Sequence, residues 1–320
     1  MHQNTPNPTD PAPNPITQRS QQLPVHFSEQ ILFFCLRIVH YECMGRKEWV
    51  EQKQRDELDL IKRVASQTRN AVVTGPAGAR WHGLATLDWV GSVDLVMPGY
   101  SKAWGKARQY PDRVYRSGSI TDEDFKEKDG VRVASMIRCI FDTMRYHGWL
   151  AALVQLESAR AKWQSLTIDE LLHRTSSLPR AHGLRKFRRL IEYSAATSES
   201  VLETLMRHEI LQAIDDGRLT GVNTLDFQVT FPITGADGNP TTARVDVVIN
   251  GELLVEADGA LKSDGTFGDP LASTSAERHR EKQLLNLGHP INRFGWDEVT
   301  SRSFLQVLQR AINALAARAA

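Results

Sequence analysis

Three carboxylates stand close together late in the chain: Asp246, Glu256 and Asp258, the last followed by Gly259. They fall in the segment Thr-Ala-Arg-Val-Asp246-Val-Val-Ile-Asn-Gly-Glu-Leu-Leu-Val-Glu256-Ala-Asp258-Gly259. Val245, Val247 and Ile249 alternate with Asp246 and Val248; Leu253, Val255 and Ala257 alternate with Leu254, Glu256 and Asp258. Alternation with period two marks half-buried strands, and Asn250-Gly251 sits where the chain must reverse. A strict two-residue loop would pair Ile249 with Glu252 and mix charge with hydrocarbon on both faces. A three-residue loop or a one-residue bulge restores even parity. Asp246, Glu256 and Asp258 then share one face and the valines the other. Clustered carboxylates repel unless protons or a cation sit among them. Oxygen donors of this hardness suit Mg²⁺ or Mn²⁺. The plainer alternative is a solvated hairpin face.

The elements around this hairpin can be read from pattern. Ser198 is a candidate N-cap for a helix whose apolar face is Val201, Leu202, Leu205 and Met206, with Glu199 in its first turn. A strand around Leu225–Phe231 precedes the hairpin. After it come a helix from Glu277 to Leu287 closed by Gly288, a strand at Ile291–Phe294, and a closing amphipathic helix over 301–319. From residue 198 the order is therefore helix, three strands, helix, strand, helix.

Upstream, residues 1–24 are polar and proline-rich and read as a disordered tail, and 27–44 as an apolar helix. Residues 48–69 read as a charged amphipathic helix. Strands are expected at Val93–Met97, around Val114 and at Val131–Ala134, with a helix over Ser135–Tyr146. This places an α+β domain at 25–148 and a helical connector at 149–196, before a last domain at 197–320. The connector is basic: Arg174, Arg180, Arg185, Lys186, Arg188 and Arg189 face a single acid, Glu192. Such a run is either a solvated helix face or a surface for nucleic-acid phosphates.

The 320 residues carry a net charge of +1, so the overall balance selects no partner. The three cysteines include no CxxC pair, which suits reduced thiols in a cytoplasmic protein, and Cys139 reads as core. The most apolar stretch, Ile31–Val39, is interrupted by Arg37 and is too short for a membrane span. Phosphate-binding glycine loops, the GxSxG elbow and the HExxH zinc helix are all missing from the sequence. His82, between Trp81 and Leu84, reads as a packed histidine.

Residues 198–300 resemble the DUF559 family, of the PD-(D/E)XK nuclease superfamily and similar to very-short-patch-repair endonucleases. The resemblance rests on Ser198-Glu199-Ser200, Arg244-Val245-Asp246, Val255-Glu256-Ala257-Asp258-Gly259 with Lys262 after it, and Glu277-Arg-His-Arg280 running through Leu287-Gly288 to Arg293-Phe294-Gly-Trp296. Residues 71–147 more loosely resemble AbiEi-type antitoxin and regulator domains, through Thr74-Gly-Pro-Ala-Gly-Ala-Arg-Trp-His82-Gly83-Leu84 and Gly130-Val-Arg-Val-Ala-Ser leading to Phe141-Asp142. The resemblance implies an α/β restriction-endonuclease-like mixed sheet flanked by helices. It further implies a DNA phosphodiesterase using Mg²⁺ or Mn²⁺, in a mobile-element, phage-defence or toxin–antitoxin setting. Asp246 and Glu256 would hold the metal, and Glu199 would complete the shell or hold a metal-bound water. Where the superfamily pattern has lysine, this chain has Asp258; Lys262 could reach back, or Asp258 could be a further ligand. Arg280 and Gln283, with Arg180, Arg185, Lys186, Arg188 and Arg189, would face nucleic acid. Arg280 could instead pair with a site carboxylate. The other outcome is a non-catalytic regulator or antitoxin-like protein that keeps the fold for binding DNA or a protein, as a homodimer or with a toxin or antitoxin partner.

Overall fold

The computed structural model describes residues 46–320 except 69, 100–109, 259–269 and 320, with no side chains described for 46, 47, 270–276 and 319. The expected tail at 1–24, the helix at 27–44, Gly259 and Lys262 lie outside the described residues. The chain is mixed α/β, with two mixed sheets flanked by helices.

The first sheet has five strands: β1 (Val72–Thr74), β2 (Val93–Val96), β3 (Arg113–Tyr115), β4 (Phe125–Lys128) and β5 (Val131–Ala134), in the order β3-β2-β1-β5-β4. β1 runs antiparallel to β2 and parallel to β5. Helices α1 (Arg46–Gln67), α2 (Gly75–Trp81), α3 (Met136–His147), α4 (Trp149–Lys162), α5 (Ile168–Arg174) and α6 (Leu184–Tyr193) accompany it. One apolar core joins Ile61 and Val64 of α1, Val72 and Val73 of β1, Ile140 and Phe141 of α3, Leu153 and Leu156 of α4, and Phe187 and Leu190 of α6. The segment 149–196, expected as a connector, thus contributes to this first core. Asp142, wholly buried, accepts from Thr74 Oγ1 at 2.8 Å and Arg138 Nε at 2.7 Å, tying α3 to the end of β1.

The second sheet is built from α7 (Val201–Asp215), β6 (Leu225–Thr234), β7 (Pro240–Ile249), β8 (Leu253–Ala257), α8 (Pro270–Asn286), β9 (Ile291–Phe294), α9 (Trp296–Thr300) and α10 (Phe304–Ala319). Its order is β6-β7-β8-β9, the first three antiparallel and β9 parallel to β8. A parallel neighbour requires a crossover, and α8 supplies it. The cap of α7 is Ser200, whose Oγ accepts from Glu203 N at 3.1 Å, and not Ser198, which is buried. Among the described residues, no helix is long and apolar enough to cross a membrane.

The two sheets are joined through α4 and α7. Glu157, fully buried, accepts from Arg207 Nη2 and from Ala195 N at 3.0 Å. Arg160 Nη1 donates to the Ser194 carbonyl and, at 2.9 Å, to its hydroxyl. Without Arg207 the buried Glu157 carboxylate would keep only the Ala195 N–H and the nearby charge of Arg160, so the Arg207→Met variant should lose about 3 kcal/mol in chemical denaturation.

Half-buried histidines add a pH dependence. His82 Nε2 donates to the Ala134 carbonyl at 2.8 Å, and burial holds its imidazole below the usual 6.5 against the raising effect of that carbonyl. Burial also lowers His208. Below the unfolded pKa the unfolded chain takes up protons that the native state resists. Stability present at neutral pH therefore falls as the pH drops through the window beneath 6.5. Denaturation midpoints measured from about pH 7.5 to about 5.5 should decline, and His82→Gln should flatten that slope.

Candidate functional site

The hairpin register follows the parity argument. Ile249 pairs with Leu253, Val248 with Leu254 and Val247 with Val255, leaving a three-residue loop in which Asn250 and Gly251 both have positive φ. Asp246 and Glu256 are the next residues outward on the two strands. The expected valine face does not hold, however. Val247, Ile249, Leu253 and Val255 pack with α7 and α10, whereas Val245 joins Val248, Leu254 and Leu284 on the other side. On β6, Phe227 packs with the first group and Val229 with the second.

The change of face occurs at Gln228 and Asp246. Phe227 pairs with Val247 and Val229 with Val245, and Gln228 between them has φ +55°. A non-glycine residue in the left-handed region stores roughly 1 kcal/mol or more of strain, and such residues gather at functional sites. Gln228 Nε2 lies 3.2 Å from Asp246 Oδ1 and 3.3 Å from Glu203 Oε2, so one amide holds two carboxylates together. Asp246 Oδ2 accepts from Ala257 N at 2.9 Å, and Glu203 Oε2 accepts from Glu199 N at 2.9 Å. Gln228 Oε1 is buried and accepts no hydrogen bond among the described residues. An orphaned acceptor of this kind costs about 1–3 kcal/mol.

Glu256 meets a different environment. It is 7 % exposed, with Arg280 Nη2 2.6 Å from Oε1 and Arg293 Nε 3.0 Å from Oε2. Arg293 arrives because β9 pairs in parallel with β8, setting it opposite Glu256. Both guanidinium groups also contact Glu277, at 2.7 and 2.8 Å. Burial alone would lower the Arg280 pKa, but Glu277 and Glu256 outweigh it and push it upward.

The expected cage of Asp246, Glu256 and Asp258 is therefore not formed. Asp246 is held by Gln228 and Ala257, Glu256 by two arginines, and Asp258 is exposed. Among the described residues, no group of three or more His, Cys, Asp or Glu side chains is arranged to hold a metal. Glu199 is exposed and pairs with Arg244 at 2.8 and 2.6 Å, so the helix acid nearest Asp246 is Glu203. Gln228 turns its amide nitrogen, not its oxygen, toward Glu203 and Asp246, so the hard oxygen donors that meet there are those two carboxylates, with the Arg244 guanidinium close to both. The spacing Ser200-x-x-Glu203 carried a helix-start signal for Glu203; nothing in the sequence marked Gln228.

The expected nucleic-acid residues divide. On α6, Phe187, Leu190 and Ile191 are buried while Arg185, Lys186, Arg188 and Arg189 are exposed, as is Arg180 before it. Arg188 Nε donates to Thr175 Oγ1 at 3.0 Å. The first turn of α6 holds no acid and its cap is Gly183, so Arg185 and Lys186 sit where the helix dipole already favours anions. A cavity of about 390 Å³ opens there, lined by His182, Arg185, Lys186 and Arg189 among others. Arg280, expected to face nucleic acid, is instead engaged by Glu256 and Glu277, and Gln283 is half-buried.

No family model, curated protein or solved structure matches the chain.

Because Arg293 stays in place, Arg280→Met should cost less than breaking an isolated buried pair. The expected loss is about 2–3 kcal/mol, read as a lowered denaturation midpoint.

Proposed function

We propose that the protein is a metal-dependent, nuclease-like hydrolase acting on DNA phosphodiesters. The observation that carries this reading is the convergence of Asp246 and Glu203 on one amide at the point where the β6–β7 hairpin changes face. The order of α7, β6, β7, β8, α8 and β9 agrees with the restriction-endonuclease-like core that residues 198–300 resemble. Glu203 and Asp246 would hold the cation; when bound it would polarise a phosphate oxygen and lower the pKa of a water. The chain's own contributions are positional. Ala257 N fixes the Asp246 carboxylate, and Glu199 N fixes that of Glu203. The exposed cations of α6 would grip backbone phosphates without reading sequence.

A second reading has its own observation. Glu256 is neutralised by Arg280 and Arg293, and Asp258 stands where the resemblance calls for lysine. That arrangement favours a binding protein, AbiEi-like in its first domain, that keeps the second sheet without hydrolysis.

Incubation of supercoiled plasmid with the purified protein and Mg²⁺ or Mn²⁺ separates the two. The first reading expects nicking by wild type that disappears with chelator and in Asp246→Ala. Salt-sensitive DNA binding without nicking would establish the second. Under both, Arg185→Ala, Lys186→Ala and Arg189→Ala combined should weaken binding across sequences. The slope of log affinity against log salt should shrink by about 0.9 for each phosphate that is no longer neutralised.

A further inference from the structure

We propose that the first domain carries a seat for a phosphate group, formed where Gly118 faces the guanidinium groups of Arg138 and Arg145. The seat is separate from the acids of the second sheet and stands whether or not the protein hydrolyses DNA. Gly118 lies in the strip Arg116–Ser119 that leaves β3. Its φ is not positive, so the backbone there does not call for glycine. The space does. A Cβ at this position would stand 2.9 Å from Arg138 Nη2, and 3.9 Å from Arg145 Nη1 and from Val96 Cγ1. The place that the missing side chain leaves is therefore bordered by two cationic donors. One of them is unspent: Arg138 is 2 % exposed, and its Nη2 has no hydrogen-bond partner among the described residues. A buried donor left in this way is a penalty that an anionic oxygen would remove. The N–H groups of Gly118 and Ser119 also have no backbone acceptor among the described residues.

The charge around the seat is in surplus. Asp142 is shared by Arg138 Nε at 2.7 Å and Arg145 Nη1 at 3.0 Å. Asp94, 1 % exposed, is shared by Arg116 Nε at 2.8 Å and His147 Nε2 at 2.5 Å. Three guanidinium groups against two carboxylates leave at least one positive charge over. The cations are also held in place before a ligand arrives. Arg116 and Arg145 lie over the Tyr146 ring, with Cζ 4.7 and 4.8 Å from its centroid, and Tyr146 Oη donates to the Ser117 carbonyl. Arg138 Nη2 is sealed from water as it stands. The strip against it, exposed at Ser117 and Ser119, is the part that would give way to admit an oxygen. Guanidinium forks and backbone N–H groups converging on one place suit the several oxygens of a phosphate. The seat also adjoins α6: a Cβ on Gly183, its cap, would stand 3.5 Å from Arg145 Cγ. That continuity with the exposed cations of α6 favours a phosphate in a nucleic-acid backbone over a free phosphate ester.

The test uses the purified full chain and two measurements. One is the melting temperature in inorganic phosphate against chloride at equal ionic strength; the other is affinity for a labelled DNA duplex. Wild type should melt higher in phosphate than in chloride. Gly118→Ala should lose that difference and bind the duplex roughly tenfold more weakly. It keeps every charge and asks for no unusual backbone, and its Cβ presses on the end of a side chain, so it should fold. Arg145→Gln is the second variant and decides alone if Gly118→Ala does not fold. Asp142 keeps Arg138 and Thr74 there, and the losses should be the same. Arg132→Ala on β5 removes one positive charge from an arginine paired with Glu127, and should behave like wild type. A lost phosphate effect with duplex affinity intact upholds the seat and assigns it to a free phosphate ester. A weakened duplex affinity without a phosphate effect upholds it and assigns it to the polymer. The proposal is overturned if the folded variants at Gly118 and Arg145 match wild type in both measurements. It is equally overturned if Arg132→Ala loses as much as Arg145→Gln, since the effect would then be bulk charge.

Discussion

The β6–β7 hairpin must bury apolar side chains against helices on both sides of one sheet. α7 and α10 cover one face near the loop to β8, and Leu284 of α8 covers the other. A regular strand can present its odd-numbered residues to only one of these. The chain resolves the conflict with a local break, at which Gln228 takes a left-handed backbone and the facing of both strands exchanges. Asp246 and Gln228 sit in that break. The polar contacts at the site follow from it, because neither side chain is committed to an apolar layer there.

Adjacent positions on paired strands then meet opposite electrostatic fates. Asp246 accepts from neutral donors, the Gln228 amide and the Ala257 N–H, with the Arg244 guanidinium nearby. Glu256 is compensated by two guanidinium groups, which Glu277 shares. Burial explains the difference: a carboxylate on the α8 side would be intolerable unpaired, and β9 and α8 each contribute an arginine. The same logic accounts for Glu157 and Arg207.

Much of the secondary structure was legible. The charged periodicity over 48–69, the run Val93–Met97 and the spacing Ile137, Ile140, Phe141 and Met144 all give elements within two residues of where the pattern puts them. Parity narrowed the hairpin to a three-residue loop or a one-residue bulge, and the chain takes the loop. β4, Phe-Lys-Glu-Lys, escaped because its side chains are mostly exposed and carry no apolar period. The exchange of faces also escaped, since the parity argument assumes an unbroken strand. Arg280 was already a candidate partner for a site carboxylate. Arg293 could not be, because its nearness to Glu256 exists only once β9 lies beside β8. Gln228 was invisible for the same reason: an isolated glutamine acquires meaning only from the carboxylates that the fold brings to it.

The short stretch from Ser194 to Ala195 is gripped by Arg160 and Glu157 of α4, which also holds Arg207 of α7. This removes the swivel that a loose joint would leave between the exposed cations of α6 and the acids around Asp246.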